Sequence, residues 1–504
     1  MNVKASNPAT LLELIQLAPA ERVAIILPES AVSVSYQQLR DQVTAMANAL
    51  ASLGIKKGDR VATSLPNGLP TIVSFLAASI AGTAAPLNPG YREDEVSFYL
   101  EDTGARILLC LPDDDAAAAR RAAQAHGVAV YSLETDSAGF PRFAGAPEGK
   151  VASAPSPDDV ALVLHTSGST GRPKRVPLLH RNITASARNI VDHYALTQDD
   201  VSLCVMPLFH VHGLVASTLS TLLSGGTVVV PRKFNALSFW RTVRDTRATW
   251  YSAVPTIHNL LLSRAGEERP AGAEGLRFIR SCSASLPAEM MEHMERVFGV
   301  AVLEAYGMTE ASHQMSSNPR PPAARKAGSV GPGTGVRIGI MDEAGNLLAT
   351  GERGEVVIQG PNVVSGYENN PQANAKSFTN GWFRTGDQGF LDEDSYLRLT
   401  GRLKELINRG GEKIAPREID EVLLSHPAIA EAVCFGVPHP VWGEEVAAAV
   451  VLKETATEGE ILSFCRERLA EFKRPKKIYI SKEIPRTATG KIQRGVVAKA
   501  FAEA

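Results

Sequence analysis

The sequence predicts an α/β protein, with a large N-terminal domain of layered α/β units and a small β unit, followed by a smaller mobile α+β C-terminal domain. Short apolar runs alternate with amphipathic stretches between residues 158 and 304, which is the pattern of layered α/β proteins. The sharpest boundary lies near residues 400–404, and the segment after it has about 100 residues, a size typical of an independent domain. We therefore expect domains at 1–401 and 402–504.

The first α/β unit, over 33–111, contains a helix pattern at 36–53 and a strand pattern at 60–65. The alanine-rich stretch 116–125 predicts an exposed helix. The strands expected in the main layered region cover 162–165, 202–206, 227–230, 249–254, 277–281 and 301–304.

A helix is expected before the last of these strands. Ser285 opens it, with Pro287 in the first turn, and Gly299 stops it. One face of this helix carries Met290, Met294, Val297 and Phe298. The segment 330–359 is rich in glycine and β-branched residues and predicts the small β unit. In the C-terminal domain, helix and strand patterns alternate through 419–424, 432–437, 446–452, 461–469 and 477–480.

Composition excludes several classes of protein. Of the 504 residues, 44% are hydrophobic and 21% charged, and 52 Lys+Arg nearly balance 54 Asp+Glu, so no general attraction to nucleic acid or an anionic membrane is expected. No apolar run reaches the ~18 residues of a membrane span, and the start does not resemble a secretion signal. The five cysteines lack metal-ligand spacing and predict buried free thiols in a reducing, cytoplasmic setting.

A candidate phosphate loop follows the first strand of the layered region. Residues 165–174 read His-Thr-Ser-Gly-Ser-Thr-Gly-Arg-Pro-Lys. The glycines allow the backbone to turn its N–H groups toward phosphate oxygens, the hydroxyls are further donors, and the lysine adds positive charge. The spacing and Pro173 do not fit a Walker loop, and a polar surface turn is the alternative for the glycines alone. The candidate phosphate-binding residues are Thr166, Ser167, Gly168, Ser169, Thr170, Gly171 and Lys174.

Three further motifs carry chemistry. Residues 306–310 bring together Tyr306 to stack a base, Thr309 to bind phosphate and Glu310 to bind Mg²⁺, although a helix cap beside a core tyrosine would read the same way. Asp387 ends the string 382–387 and could accept both ribose hydroxyls, although alone it marks only a turn. Lys491 stands on a glycine-flanked loop near the end, where most lysines are simply solvated.

Taken together and in this order, the four motifs resemble the adenylate-forming superfamily of acyl-CoA synthetases, firefly luciferases and peptide-synthetase adenylation domains. The resemblance covers 36–493, with 401–405 and 408–414 matching the hinge and the loop after it. Within the superfamily, the strings 207–214, 248–258, 277–286 and 304–319 resemble the oxalate:CoA ligase family. The chain departs from that family at Arg175, where glycine is usual, and at Gly307, where some members have alanine.

The resemblance implies two half-reactions. A carboxylate attacks the α-phosphorus of ATP to give acyl-AMP and pyrophosphate, and the thiol of coenzyme A then displaces AMP. The implied catalytic residues are Lys491, Glu310, Thr309 and His210, with Glu310 as the Mg²⁺ ligand and Lys404 as the pivot of the small domain. The implied nucleotide and CoA contacts are the phosphate loop with Ser283, Ala284, Ala305, Tyr306, Asp387, Arg402 and Gly411.

Polar residues are expected to line the acyl site, which suits a small diacid and not a fatty acid, and the resemblance implies oxalate as that acid. The expected substrate residues are His210, Ser283, His258 and His313. Arg280 is an alternative partner for a second carboxylate, and His212 and His258 could instead be structural. A CoA ligase for malonate or another short or aromatic acid, a carrier-protein adenylating domain and a non-catalytic nucleotide-binding protein remain alternatives. The expected partners are the acid, ATP and CoA, in a monomer or homodimer.

Overall fold

The structure is a computed structural model that describes residues 7–112, 116–136, 140–143, 147, 149–166, 173–486 and 492–502. Its α-helices are α1 Leu11–Gln16, α2 Tyr36–Ser52, α3 Leu69–Ala81, α4 Glu93–Thr103, α5 Ala117–Ala125, α6 His180–Tyr194, α7 Ser220–Leu223, α8 Phe239–Thr246, α9 Pro255–Ala265, α10 Ala288–Phe298, α11 Pro371–Ser377, α12 Pro416–Leu424, α13 Glu458–Arg468 and α14 Arg494–Ala502. A π-helix covers His212–Leu219, and short 3₁₀ turns cover Ala273–Gly275, Thr309–Ala311, Leu403–Glu405 and Glu471–Lys473.

The strands are β1 Val23–Leu27, β2 Val32–Ser35, β3 Arg60–Ser64, β4 Thr83–Leu87, β5 Ala105–Cys110, β6 Ala129–Thr135, β7 Pro141–Phe143, β8 Val160–Thr166, β9 Lys174–Leu179, β10 Val201–Leu203, β11 Thr227–Val229, β12 Trp250–Ala253, β13 Phe278–Ser281, β14 Val302–Met308, β15 His313–Ser317, β16 Arg337–Met341, β17 Gly354–Gln359, β18 Phe378–Thr379, β19 Trp382–Leu391, β20 Leu397–Arg402, β21 Ile407–Arg409, β22 Glu412–Ile414, β23 Ile429–His439, β24 Gly443–Leu452 and β25 Lys477–Ser481.

Two large sheets form the N-terminal part. One has the order β15-β14-β13-β12-β10-β11-β1-β2 and the other β7-β6-β5-β3-β4-β8-β9. Their central strands pair in parallel, and antiparallel strands close the edges. Helix α3 is buried on nearly every face, since it is apolar all round and belongs to the core shared by both sheets. The sheets therefore share one hydrophobic core, and their strand ends carry the candidate site.

Two smaller sheets complete the fold. The first has the order β16-β17-β19-β18 with β20 beside β19, and it lies between the large sheets and the C-terminal segment along the chain. The second has the order β22-β21-β24-β23 with β25 beside β24, and it packs a core of its own. The α/β class with a large N-terminal part and a small C-terminal α+β part is confirmed. The division at 401/402 stays a prediction.

Three expectations about elements are wrong in detail. Helix α5 is not exposed, because Ala119, Ala122 and Ala123 pack into a core with β5 and α4. Ser285 does not open α10, which begins at Ala288 with no side-chain cap, although Gly299 ends it in the left-handed conformation as expected. On that helix Met291 is buried, and the expected Met290 only packs at the edge.

The expected cysteine state is confirmed, because Cys110, Cys204, Cys282, Cys434 and Cys465 are all free and buried. Among the described residues, each helix is too short or too polar to span a lipid bilayer.

Candidate functional site

The phosphate loop connects two antiparallel strands. Thr166 ends β8, Lys174 begins β9, and the two residues face each other across the ladder. The chain therefore returns as a strand and not as a helix, which separates this loop from the Walker arrangement. Ser167, Gly168, Ser169, Thr170 and Gly171 lie outside the described residues, and their binding roles stay predictions.

Lys174 and Glu310 approach the same tyrosine. The Nζ atom of Lys174 lies 4.5 Å from the ring centroid of Tyr367, and the hydroxyl of Tyr367 donates to Glu310 Oε1 at 2.8 Å. Glu310 is buried in the 3₁₀ turn that begins with the half-buried Thr309. Burial raises the pKa of the Glu310 carboxyl, while the hydrogen bond from Tyr367 and the charge of Lys174 oppose the rise. A cation near Glu310 would therefore stabilise the ionised form of its carboxyl group.

The residues around Glu310 fit a magnesium ion held mainly by a nucleotide. Within the described ranges, no group of three or more His, Cys, Asp or Glu side chains could hold a metal ion. Mg²⁺ usually keeps several waters and binds through one or two carboxylates together with substrate phosphates. A single buried carboxylate near the phosphate-loop lysine meets that requirement.

Tyr306 and Arg402 converge on Asp387. The Tyr306 hydroxyl donates to Asp387 Oδ2, and Arg402 Nε lies 3.0 Å from Asp387 Oδ1. Burial and the neighbouring Asp387 carboxylate raise the pKa of Tyr306 well above its ordinary value, so the phenol stays protonated. The two residues expected at the adenine and the ribose thus stand side by side, although β14 and β19 belong to different sheets.

Strand β14 runs four residues beyond its expected end at Glu304, so Tyr306 lies inside a strand and not after it. Its last residues pair with β15, so that Gly307 lies opposite Gln314 and Met308 opposite His313. A Cβ at Gly307 would lie 3.0 Å from His313 Nδ1 and still closer to the His313 carbonyl oxygen, so this approach requires glycine. Ala305 is buried and pairs with Ser317 of β15.

Ser283 stands at the edge of a buried polar cluster. It has a φ of 73°, a left-handed conformation that is unfavourable for serine and is often found at functional sites. Its hydroxyl lies 2.9 Å from His212 Nδ1, and its neighbour Ala284 is exposed. The ring of His212 lies 5.1 Å from that of His313, and both histidines are buried.

The other two expected histidines lie differently. His258 lies on α9 and is fully buried, with its Nδ1 3.4 Å from the hydroxyl of Tyr251. Burial lowers the pKa of His258 to about 3, which favours the neutral imidazole over the cationic donor expected for a carboxylate. His210 is half-buried beside Phe209, with ring centroids 4.8 Å apart, just before the π-helix that begins at His212.

Arg175 fastens the base of the phosphate-loop hairpin. Its guanidinium donates to the Asp102 carbonyl, and its Nε lies 3.4 Å from Asp102 Oδ2 and 3.6 Å from Glu368 Oε2. His165 shares Asp102 at 3.0 Å, and Arg60 also pairs with Glu368. The arginine that replaces the usual glycine therefore ties β9 to α4 and to the segment after Tyr367.

The expected hinge is a 3₁₀ turn, Leu403–Glu405, directly after β20. Lys404 is exposed there. Glu405 accepts from Arg494 Nε at 3.2 Å, and Arg494 also pairs with the buried Asp420. Gly411 lies at the turn between β21 and β22 with a φ of 96°. Lys491 lies outside the described residues, and its catalytic role stays a prediction.

Sequence reasoning missed Tyr367, Ser252 and Gln314, and it ranked His212 below His210. Ser252 and Arg280 are neighbours on β12 and β13, at matching register positions, and Gln314 reaches the same guanidinium. A buried arginine within an apolar strand pattern was the one signal available, because such a charge requires polar neighbours. The tyrosine at 367 had no pattern that could distinguish it from a core residue.

The comparisons with known proteins cover almost the whole chain. It is 46% identical over 483 residues to an oxalate--CoA ligase of Arabidopsis thaliana, covering 94% of both chains. It is 44% identical over 522 residues to an oxalate--CoA ligase of Saccharomyces cerevisiae, covering 96% of this chain and 95% of the relative. The structure of ATP-bound MatB from Rhodopseudomonas palustris has a TM-score of 0.91 and 32% identity, covering 98% of this chain and 99% of that one.

Two family models match separate parts of the chain. The one described as AMP-binding enzyme covers residues 12–368, and the one described as AMP-binding enzyme C-terminal domain covers residues 418–491. The expected membership of the adenylate-forming superfamily is thereby confirmed: this chain belongs to the AMP-binding enzyme family.

Proposed function

We propose that this chain is an AMP-forming acid:CoA ligase that activates a small dicarboxylate, oxalate, as an acyl adenylate and transfers the acyl group to coenzyme A. The observation that carries the acid assignment is the fully buried Arg280 guanidinium among the polar side chains behind Ser283. A fatty-acyl ligase needs a long apolar lining at such a place, whereas a second carboxylate needs a cation and hydrogen-bond donors. The likeness to two oxalate--CoA ligases supports the same acid.

In the first half-reaction, a carboxylate oxygen forms a bond to the α-phosphorus, and the bond to pyrophosphate breaks. The protein mainly has to position the reactants and stabilise charge on the phosphates. We assign Lys174 and the loop after Thr166 to the pyrophosphate portion, Thr309 to the α-phosphate and Lys491 to the attacking oxygen. A bound Mg²⁺ would neutralise phosphate charge, and Glu310 would hold it.

Tyr306 and Asp387 orient the nucleoside in this proposal. The carboxylate of Asp387 is already hydrogen-bonded to Tyr306 and paired with Arg402, so its position is set before ATP arrives. In the second half-reaction the thiol of CoA attacks the acyl carbon, and AMP leaves. We assign the turn at Gly411 to the CoA side, reached when the small domain reorients about Lys404.

The test is AMP formation with oxalate, malonate, acetate and octanoate, each with and without CoA. Oxalate is expected to give the highest kcat/KM, with AMP formation that depends on CoA. A clear preference for octanoate would contradict the diacid assignment, and a preference for malonate would replace oxalate with its homologue. Adenylate formation without acyl transfer to free CoA would favour a carrier-protein adenylating domain.

A further inference from the structure

A directional hydrogen-bond chain begins at a buried cation and ends at Ser283. The guanidinium of Arg280 is fully buried, and its Nη1 donates to Ser252 Oγ at 2.9 Å. Ser252 Oγ lies 2.7 Å from His212 Nε2, and His212 Nδ1 lies 2.9 Å from Ser283 Oγ. Each pair of atoms is within hydrogen-bonding distance. Which atom donates and which accepts in each pair can therefore be worked out from Arg280, the group at which the hydrogen-bond chain begins.

Arginine has only donors and stays charged, which fixes the first link. Ser252 accepts from Arg280, so its own hydroxyl proton is free to point at His212 Nε2. Arg280 Nη1 also lies 3.4 Å from that nitrogen, and a proton on it would face a positive group. Nε2 of His212 is therefore the acceptor, and the proton of the neutral imidazole lies on Nδ1.

The direction of the last hydrogen bond, between His212 and Ser283, follows from the position of the proton on His212. His212 Nδ1–H donates to Ser283 Oγ, which leaves the hydroxyl proton of Ser283 to be donated onward. His313 is set in the same way, because Arg280 Nη2 lies 3.4 Å from its Nδ1 and leaves the proton on Nε2. The strained φ of 73° at Ser283 holds the end of the chain at the half-buried edge of the cluster.

Among the described residues, no carboxylate forms an ion pair with the cation at the other end, the Arg280 guanidinium. In the described part of the chain, the closest hydrogen-bond partners of the guanidinium are the neutral Tyr194, Ser252 and Gln314. A buried charge is stable only when it is paired and hydrogen-bonded, and an anion bound at the end of the chain would supply the missing charge. Because this hydrogen-bond chain begins at the Arg280 cation and ends at the Ser283 hydroxyl donor, an anionic oxygen would be bound favourably at Ser283.

We propose that Arg280 is the specificity-determining positioning residue for the second carboxylate of the acid, acting through Ser252 and His212 on Ser283. This inference rests on the proposed function, since it names how the diacid is recognised. Arg280 acts at a distance in this arrangement, by fixing the histidine tautomers and by its charge. The residue that contacts the second carboxylate is Ser283.

Kinetics test the role in recognition. Arg280→Met should raise KM for oxalate about a hundredfold, and Ser252→Ala about tenfold, while KM for ATP stays within about twofold. The KM for acetate, which has no second carboxylate, should change little, and Arg280→Lys should recover part of the loss. The control is Ser220→Ala, which alters a buried serine whose hydroxyl donates to the Ala216 carbonyl of the preceding π-helix.

Nuclear magnetic resonance of the full-length protein labelled with ¹⁵N-histidine tests the hydrogen-bond chain directly, without catalysis. The signals of His212, assigned by their loss in His212→Gln, should show the Nδ1–H tautomer in the wild type and in Ser220→Ala. Ser252→Ala should weaken that preference, because the hydroxyl donor to Nε2 is lost while Arg280 Nη1 remains 3.4 Å away. If Arg280→Met does not fold, Ser252→Ala decides the question.

An Nε2–H tautomer at His212 in the wild type would overturn the proposal. So would an unchanged KM for oxalate in Ser252→Ala. A wild-type enzyme that forms no AMP with any small diacid instead contradicts the proposed function, and the tautomer measurement still decides the hydrogen-bond chain.

Discussion

Asp387 and Arg402 face each other across the antiparallel pair β19 and β20, with Arg402 Nε 3.0 Å from Asp387 Oδ1. Arg402 is the last residue of β20, and the 3₁₀ turn with the expected pivot Lys404 follows at once. The carboxylate assigned to the ribose is therefore paired with the residue at which the expected mobile domain begins. Under the proposed function, this ion pair would link the nucleotide site to the expected hinge.

Asp387→Asn should raise KM for ATP about tenfold to a hundredfold, because hydrogen bonds to a charged group are worth about 1.5–3 kcal/mol. Arg402 would also lose its ion-pair partner, and the Tyr306 hydroxyl would lose its charged hydrogen-bond acceptor. The measurement is ATP-dependent AMP formation, supported by calorimetric titration with ATP. Asp392→Asn is the matched control, since that carboxylate follows the same strand but pairs with Lys326. An unchanged KM for ATP in Asp387→Asn would remove Asp387 from the nucleotide site.

Gly307→Ala should destabilise the protein by about 1–3 kcal/mol, because the new Cβ would press on the backbone of His313. Activity with oxalate should fall further than the loss of stability at the assay temperature explains, since His313 belongs to the buried polar cluster that the proposal assigns to the acid. Urea denaturation measures the first effect and steady-state kinetics the second. Gly459→Ala is the control, because a Cβ there meets nothing within 4 Å. Equal stability of the two variants would contradict the prediction.

Glu304 should make stability depend on pH. Burial raises its pKa from 4.5 to about 7, with Leu286 N–H donating to Oε1 and the charges of Arg417 and Glu421 acting on it. The folded state therefore binds the proton more tightly than the unfolded state. Its contribution is fully present below about pH 4.5 and is lost as the pH rises through about 7, a change of about 3 kcal/mol.

The measurement for Glu304 is the free energy of unfolding at several pH values, for the wild type and Glu304→Gln. The difference between the two isolates this carboxyl from the buried histidines, His180 and His258, whose lowered pKa values act in the opposite direction. The variant should gain stability relative to the wild type as the pH rises from 5 to 8. A constant difference over that range is the outcome that contradicts a buried, protonated Glu304.

Arg175→Gly should lower stability by about 1–2 kcal/mol and raise KM for ATP, because the phosphate-loop hairpin loses its ties to Asp102 and Glu368. The side chains of this network are mostly buried, so the loss exceeds that of a surface pair. Arg181→Gly is the control, since its pair with Asp158 is exposed and should contribute little once the helix propensity of glycine is allowed for. A KM for ATP equal to that of the wild type would show that Arg175 does not position the loop.

Lys491→Ala should lower the rate of adenylate formation roughly a hundred- to a thousandfold, a barrier of about 3–4 kcal/mol, because a cation at the reacting oxygens is lost. Acyl transfer from preformed acyl-AMP to CoA should be nearly unaffected, since the proposal uses Lys491 only in the first half-reaction. Single-turnover measurements separate the two steps. Lys499→Ala, at an exposed lysine of α14, is the control.

Local patterns in the sequence were enough to predict many of the strands, the end of one helix and the family. The alternation of apolar runs predicted the strands of the main sheet, and Gly299 predicted the end of α10, because these signals depend on neighbours a few residues away. The phosphate loop and the strings around Glu310 and Asp387 also stand in contiguous segments, so the family was predictable before any fold was known, while the roles of these residues stay predictions.

Only the tertiary structure decided which distant side chains meet. Ser252, His212 and Arg280 are separated along the chain, and the parallel register of β12 and β13 with the π-helix brings them into one cluster. The same packing buried His258 beside Tyr251, where burial favours its neutral ring. Burial and hydrogen-bond direction arise from long-range packing, which no pattern of adjacent residues encodes, and they determine whether a histidine donates, accepts or merely fills the core.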